Sequence, residues 1–155
     1  ISAGGRAERL PGNACMKVLI VKLSAFGDII HALPALDDLL SRPEVDEVHW
    51  LVDQRYEFVT EALPEQVHVH SVALKGPNPL RALWNTVRSL RRQRFDIVID
   101  LQGLIKSSFL ARLIAAPVFG FDPQYAREKP STWFTRHVCF HPQELHIVQQ
   151  CRRVA

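Results

Sequence analysis

Short runs of apolar residues alternate along this chain with segments whose apolar residues recur at helical spacing. The first run, KVLIVK, is rich in β-branched and aliphatic residues, as is usual for a parallel strand that is covered on both faces. The same criteria predict five strands, over residues 17–22, 47–53, 67–73, 95–101 and 117–121.

The segments between these strands are predicted to be helices. Residues 80–90 have the clearest helical periodicity in the chain. Further helices are expected over residues 29–40, where Pro34 should kink or divide the helix, and over residues 54–63 and 104–114. A last helical pattern starts after Pro142 and continues to the final residue.

The alternation of strands and helices predicts an α/β fold, a Rossmann-like doubly wound parallel sheet with right-handed crossovers. The segment VHVHSVA alternates apolar and polar residues, so the third strand is expected near an edge of the sheet. The apolar share of 47% and the charged share of 23% suit one globular domain of 155 residues. Since no apolar run reaches the roughly 20 residues of a spanning helix, the sequence predicts no membrane span.

The first fifteen residues lack the apolar stretch of a signal peptide, and Met16 directly precedes the first strand. We therefore predict that residues 1–15 are a disordered upstream segment and that residues 16–155 form the domain. The three cysteines lack CxxC spacing, which argues against a disulfide framework or a zinc site and favours a reducing, cytoplasmic setting.

Candidate chemistry follows two of the predicted strands. The segment SAFGD, residues 24–28, follows the first strand, and DLQGLIKSS, residues 100–108, follows the fourth. Because ligands of open α/β sheets bind outside the carboxyl ends of the strands, we expect the two segments to meet at a ligand site. Each has a glycine at a turn, followed by a helix whose first amide groups could face an anion.

Asp28 is the residue with two plausible roles. A carboxylate in the first turn of a helix commonly caps the helix, which contributes about 1 kcal/mol. It could instead act as a general base that takes a proton from a hydroxyl group. The two roles are compatible, and the sequence leaves both open.

Other common site motifs are absent from the sequence. There is no GxGxxG, no GxxxxGK[ST] and no GxSxG, so a dinucleotide fingerprint, a P-loop and a serine-nucleophile elbow are not predicted. The pairs His68 with His70 and His137 with His141 lack a convincing third ligand, and for the first pair an exposed polar strand face is the preferred interpretation. No metal site and no cofactor are predicted.

Basic residues are concentrated between Lys75 and Arg94, where six cations occur without an acidic residue. This segment is either a solvated helix face or a surface that docks phosphate groups or an anionic membrane. The formal net charge of +3 is too small to indicate a nucleic-acid-binding protein.

Three segments carry a resemblance to a known family. KVLIVKLSAFGDIIHALPAL, FDIVIDLQGLIKSS and GFDPQYAREK, followed by HIVQQCR, resemble the amino-terminal half of bacterial lipopolysaccharide heptosyltransferases of the heptosyltransferase I type. The resemblance implies one half of a GT-B glycosyltransferase. In that family this half binds the acceptor, the Kdo sugar on lipid A, and the carboxyl-terminal half binds ADP-heptose at the inner face of the bacterial inner membrane.

The resemblance also implies roles for residues. Asp28 matches the presumed catalytic base of an inverting transfer, and the absence of an Asp-x-Asp triplet suggests that no metal is needed. Arg127 matches an arginine implicated in acceptor binding, although an ion pair with Glu128 or Asp122 is the structural alternative. The candidate acceptor-binding residues are Ser24, Gly27, Lys75, Arg81, Gln102, Gly103, Lys106 and Arg127.

The chain differs from the family in one segment, and two alternative functions stay open. The segment KGPNPLR holds fewer basic residues than the matching segment of heptosyltransferase I, which leaves the acceptor's decoration open. Without a donor-binding half, this chain alone is expected to be inactive. The alternatives are another Rossmann-like nucleotide-binding domain and a non-enzymatic module that docks on anionic membranes.

Overall fold

The computed structural model describes residues 16–138 and 147–155. Six strands are present in this part of the chain: β1 (Met16–Val21), β2 (Val45–Asp53), β3 (Val67–Val72), β4 (Ile97–Asp100), β5 (Val118–Phe121) and β6 (Arg136–Val138). The α-helices are α1 (Phe26–Leu40), α2 (Pro79–Gln93), α3 (Ile105–Leu113) and α4 (Ile147–Val154). Two 3₁₀ helices span Gln54–Ala62 and Lys129–Phe134.

All six strands are parallel and lie in the order β3-β2-β1-β4-β5-β6. Strand order therefore reverses between β1 and β4, which pair from Val18 with Ile97 to Val21 with Asp100. This order confirms the predicted doubly wound sheet, and β3 lies at an edge as its alternating pattern indicated.

Helices cover both faces of the sheet. On one face α1 and α4 pack with the strands around Ile20, Leu36, Trp50 and Cys151. On the other face α2 and α3 cover a second cluster, which includes Leu90. Because both faces are covered, the central strands are apolar on both sides, which explains their uninterrupted hydrophobic runs.

Two local predictions need correction, and one strand was missed. Helix α1 is not divided at Pro34 but continues to Leu40. The carbonyl that Pro34 cannot bond belongs to Ile30, which is 38% exposed, so water can reach that side of the helix. The short helix predicted over residues 54–63 is a 3₁₀ helix, and strand β6 was not predicted because three largely exposed residues carry no apolar pattern.

The amino-terminal segment 1–15 and the start of the last predicted helix lie outside the described residues. Helix α4 supplies Cys151 and Val154 to the core, as its periodicity indicated. No helix in the described part of the chain combines the length and the apolar character that a membrane crossing requires.

Candidate functional site

The turns after β1 and β4 are joined through one glutamine side chain. The amide oxygen Oε1 of Gln102 accepts hydrogen bonds from the backbone N–H groups of Leu23 and Ser24, each at 3.1 Å. Gln102 is 2% exposed, so these bonds are shielded from water. The two segments that the sequence placed at the carboxyl edge of the sheet therefore meet, and Gln102 holds them together.

Lys22 fixes the same junction from the interior. Its side chain is 1% exposed, and Nζ donates a 2.6 Å hydrogen bond to the carbonyl oxygen of Leu101. Burial lowers the pKa of Lys22, while the charges of Asp28 and Asp100 act in the opposite direction. This role was not predicted, because Lys22 is the last residue of the predicted first strand and belongs to no recognised motif.

Asp100 organises the turn that follows β4. Its carboxylate accepts hydrogen bonds from the backbone N–H groups of Gln102 at 2.9 Å and Gly103 at 3.4 Å, and from the hydroxyl groups of Ser107 and Ser108. Burial raises the pKa of Asp100 in spite of these four donors. The carboxylate therefore serves the turn and the first residues of α3 rather than the open edge of the site.

Asp28 lies in the first turn of α1, and its side chain is 18% exposed. Its Oδ1 accepts a 2.6 Å hydrogen bond from Nη2 of Arg127, and Oδ2 lies 3.4 Å from the backbone nitrogen of Ala25. Partial burial acts to raise the pKa of Asp28, but the Arg127 hydrogen bond and the charge of Lys22 outweigh it, so this pKa lies below its ordinary value. Asp28 is therefore an ionised carboxylate, and it has a capping contact as well as an ion pair.

Arg127 is paired differently from either sequence alternative. Its partner is Asp28, and not Glu128 or Asp122. Oε2 of Glu128 accepts a 2.7 Å hydrogen bond from the backbone nitrogen of Ile105 at the start of α3, and Oδ1 of Asp122 accepts one from Gln124. Both nearby carboxylates thus satisfy backbone donors.

Gly103 brings the Arg127 segment against the turn after β4. Its φ angle of +66° lies in the left-handed region, where glycine is favoured. The Gly103 carbonyl accepts a 3.1 Å hydrogen bond from the Glu128 nitrogen. The glycine thus supports the position of Arg127, as a residue that shapes the turn.

A cavity of about 370 Å³ opens beside this junction. Four predicted site residues line it, and the lining also contains an ion pair between the buried Asp53 and the exposed Arg55, which the sequence analysis did not assign to the site. The four are Ser24, Lys75, Gln102 and Lys106.

The ion pair of Asp53 is built by a tight turn at the end of β2. Arg55 donates to the Asp53 carboxylate from its backbone nitrogen at 3.0 Å, from Nε at 2.9 Å and from Nη2 at 3.0 Å. Burial acts against ionisation of Asp53, but these bonds lower its pKa overall. A carboxylate at the end of a parallel strand, followed two residues later by arginine, was the available sequence signal.

The other predicted residues are not part of the cavity lining: Gly27, Asp28, Arg81, Gly103 and Arg127. Gly27 adjoins Asp28, and a Cβ atom added to it would meet nothing within 4 Å. Arg81 is exposed on α2 and is not among the lining residues. The structure thus brings most of the candidates together at the sheet edge, whereas Arg81 is exposed on α2.

Within residues 16–138 and 147–155, one group of side chains has metal-ligating geometry: Glu47, His49 and His68 on β2 and β3. The interpretation of His68 and His70 as an exposed polar face is correct for His68 only. His70 is half-buried, and it is hydrogen-bonded to His49 on the neighbouring strand.

Comparison with known proteins identifies related sequences and structures. The family model of glycosyltransferase family 9 (heptosyltransferase) matches residues 83–155. Lipopolysaccharide heptosyltransferase 1 of Pseudomonas aeruginosa is 34% identical over 90% of this chain and 41% of its own length. The same-named protein of Escherichia coli K12 is 31% identical over 90% of this chain and 46% of its own length. The chain spans less than half the length of these curated relatives.

A solved structure supports the same assignment. The E. coli heptosyltransferase WaaC with ADP-2-deoxy-2-fluoro heptose superposes with a TM-score of 0.74 at 30% identity, over 90% of this chain and 47% of that one. E. coli ADP-heptose lps heptosyltransferase II, at 17% identity and a TM-score of 0.69, shares the fold over 90% of this chain and 40% of its own. These likenesses confirm the resemblance carried by the sequence motifs: over 90% of its length, this chain is related to the lipopolysaccharide heptosyltransferases of glycosyltransferase family 9.

Proposed function

We propose that this chain supplies the acceptor site and the general base of a heptosyltransferase that transfers heptose from ADP-heptose to the Kdo inner core of lipid A. The main support is Asp28, an ionised carboxylate in the first turn after β1, at the carboxyl edge of a parallel sheet. The likeness to heptosyltransferases supports the class of reaction. In this proposal a second GT-B half binds ADP-heptose, and the chain alone has no turnover.

In the proposed reaction Asp28 removes the proton of an acceptor hydroxyl. The hydroxyl oxygen forms a bond to the anomeric carbon of heptose, while the bond from that carbon to the ADP oxygen breaks and ADP leaves with the electron pair. One carboxylate on the face opposite the leaving group is sufficient for such a displacement, which inverts the anomeric centre. The proposal needs no divalent ion, in keeping with a sequence that has no Asp-x-Asp triplet.

The charge around the cavity supports an anionic acceptor. Asp53 and Arg55 neutralise each other, whereas Lys75 and Lys106 add two positive charges to the lining. A carboxylate such as that of Kdo, or a lipid A phosphate, would complement this charge. Ser24 lies in the same lining and is proposed to orient the acceptor.

Arg127 links acceptor binding to the strength of the base. In the structure it holds the Asp28 carboxylate, and its side chain is 46% exposed, so it can turn toward an incoming anion. When an acceptor carboxylate takes over the guanidinium group, Asp28 loses the cation that lowers its pKa. Asp28 then becomes a stronger base at the moment when the hydroxyl group is in place.

We further propose that helix α2 docks on the anionic inner face of the bacterial inner membrane, as a peripheral contact. Helical spacing places five exposed residues within one stripe of about 100°. They are Arg81, Trp84, Arg88, Arg91 and Arg92. Arginines would attract anionic lipid headgroups and the exposed Trp84 suits the headgroup region, so the stripe favours a lipid-linked acceptor.

The test is an ADP-release assay with ADP-heptose and Kdo-lipid A, on the protein that carries this sequence together with its donor-binding half. Asp28→Asn should lower kcat by about 10²- to 10⁴-fold, the range for loss of a general base, with a small change in KM. Asp38→Asn is the matched control, because Asp38 also lies on α1 and also pairs with an arginine, Arg152.

The control should keep the wild-type rate. A value of kcat for Asp28→Asn within threefold of wild type would overturn the assignment of Asp28 as the base. Wild-type protein that releases no ADP in the presence of both substrates would overturn the proposed reaction itself.

A further inference from the structure

Four titratable side chains lie together on the face of the sheet that α2 covers, at a distance from the strand ends that form the proposed site. His49 is paired in register with His68, and Leu51 with His70. Because side chains alternate between the two faces of a strand, Glu47 and His49 of β2 share one face with His68 and His70 of β3. The proposed heptose transfer uses none of these four residues.

His49 is held in one orientation by its neighbours. Its Nδ1 lies 2.8 Å from Nε2 of His70, and the two rings are within 7° of parallel. The Phe95 ring packs edge-on against His49, with the centroids 5.0 Å apart. The other nitrogen, Nε2, lies 3.2 Å from Oε2 of Glu47. His49 is 4% exposed, so this arrangement is sheltered from water.

We propose that Glu47, His49 and His68 bind a divalent transition-metal ion of the zinc type. One ligand atom of each residue lies within 4.8 Å of the ligand atoms of the other two. Two imidazole nitrogens and one carboxylate oxygen form a donor set that zinc commonly accepts, with water in the fourth position. His68 is exposed and the Glu47 side chain is 38% exposed, which gives the ion and its water a path from solvent.

His70 is the positioning residue of this site. A carboxylate only accepts hydrogen bonds, so in the metal-free state Nε2 of His49 carries the proton that Glu47 accepts, and Nδ1 accepts from His70. A metal ion on Nε2 requires the His49 proton on Nδ1, from which it is donated to Nε2 of His70. His70 then carries its own proton on Nδ1, and the neutral pair keeps both protons.

The metal ion would also replace the Lys17 ammonium group as the cation next to Glu47. Nζ of Lys17 lies 2.7 Å from Oε2 of Glu47, and the Lys17 side chain is 26% exposed. The ammonium group can therefore move into solvent when a divalent ion binds to the carboxylate. We expect metal affinity to be lowered by this competition and to rise in Lys17→Met.

The experiment is a titration of the purified chain, without a polyhistidine tag and stripped of metals, with Co²⁺ followed by competition with Zn²⁺. Wild-type protein should bind one equivalent of Co²⁺ with visible absorption bands of a four-coordinate site, and Zn²⁺ should abolish them. His68→Ala, which removes an exposed ligand, should weaken binding at least tenfold, and His70→Ala should weaken it by about 10- to 100-fold.

His137→Ala is the matched control, because His137 is exposed on β6 at the opposite edge of the sheet. It should bind Co²⁺ like wild type, and circular dichroism should show that all variants are folded. The site would be refuted if His68→Ala bound Co²⁺ as tightly as wild type. It would equally be refuted if folded wild-type protein showed no saturable binding of either ion.

Discussion

Gly103→Ala should destabilise the fold through the turn that supports the proposed acceptor site. At φ +66° an L-residue costs about 1–2 kcal/mol relative to glycine. The new Cβ would also lie 3.2 Å from Cδ2 of Phe121, which is 5% exposed, and 3.5 Å from the Arg127 nitrogen. A contact this tight in the core requires Phe121 to shift, so we expect a total loss of about 2–3 kcal/mol.

Gly27→Ala is the matched control at the other glycine of the proposed site. Gly27 is the second residue of α1, and its added Cβ meets nothing within 4 Å. Alanine is preferred to glycine in helices by up to about 1 kcal/mol, with a smaller effect near a terminus. The same chemical change should therefore have opposite signs at the two glycines.

The assay is urea denaturation at 25 °C followed by circular dichroism, with thermal unfolding as a second measurement. For a chain of this size, 2–3 kcal/mol corresponds to a decrease in Tm of about 4–12 °C. If Gly103→Ala stayed within 0.5 kcal/mol of wild type, the left-handed turn would not be under the constraint described. If Gly27→Ala lost as much stability as Gly103→Ala, the description of Gly27 as facing open space would be wrong.

Two further predictions concern Arg127 and the stripe on α2. Arg127→Met removes the cation that lowers the pKa of Asp28. Because a base works only when it is deprotonated, the acid limb of the plot of kcat/KM against pH should move to higher pH. Arg152→Met should leave this limb unchanged, and an unmoved limb in Arg127→Met would contradict the pairing. The double variant Arg88→Glu and Arg91→Glu should reduce flotation with vesicles that contain anionic lipids at least tenfold at physiological salt. Arg42→Glu should not reduce it. Equal flotation of the double variant and of Arg42→Glu would contradict docking through α2.

The sheet and its carboxyl edge could be predicted because each rests on a strong local pattern. Buried parallel strands need apolar residues on both faces, and this requirement produced the runs around β1, β2 and β4. The turn segments then had to meet where strand order reverses, as the bonds from Leu23 and Ser24 to Gln102 show. Strand β6 lacked such a pattern and was missed.

The histidine cluster shows why contacts between neighbouring strands cannot be predicted from the pattern of one strand alone. The period of two correctly placed His68 and His70 on one face. Their third partner, His49, lies 21 residues from His70 in the sequence and becomes a neighbour only through the register of β2 with β3. Register depends on the packing of whole strands, so no local spacing could indicate it.

The ion pair of Arg127 makes the same point for the proposed active site. Glu128 and Asp122 were the local partners, but their carboxylates accept hydrogen bonds from backbone N–H groups in the first turn of α3 and in the turn after β5. Arg127 is then left to pair with a carboxylate 99 residues away, whose own helix terminus favours negative charge. An ion pair that is partly exposed contributes little to stability, and in the proposed function Arg127 exchanges its contact with Asp28 for one with a bound anion.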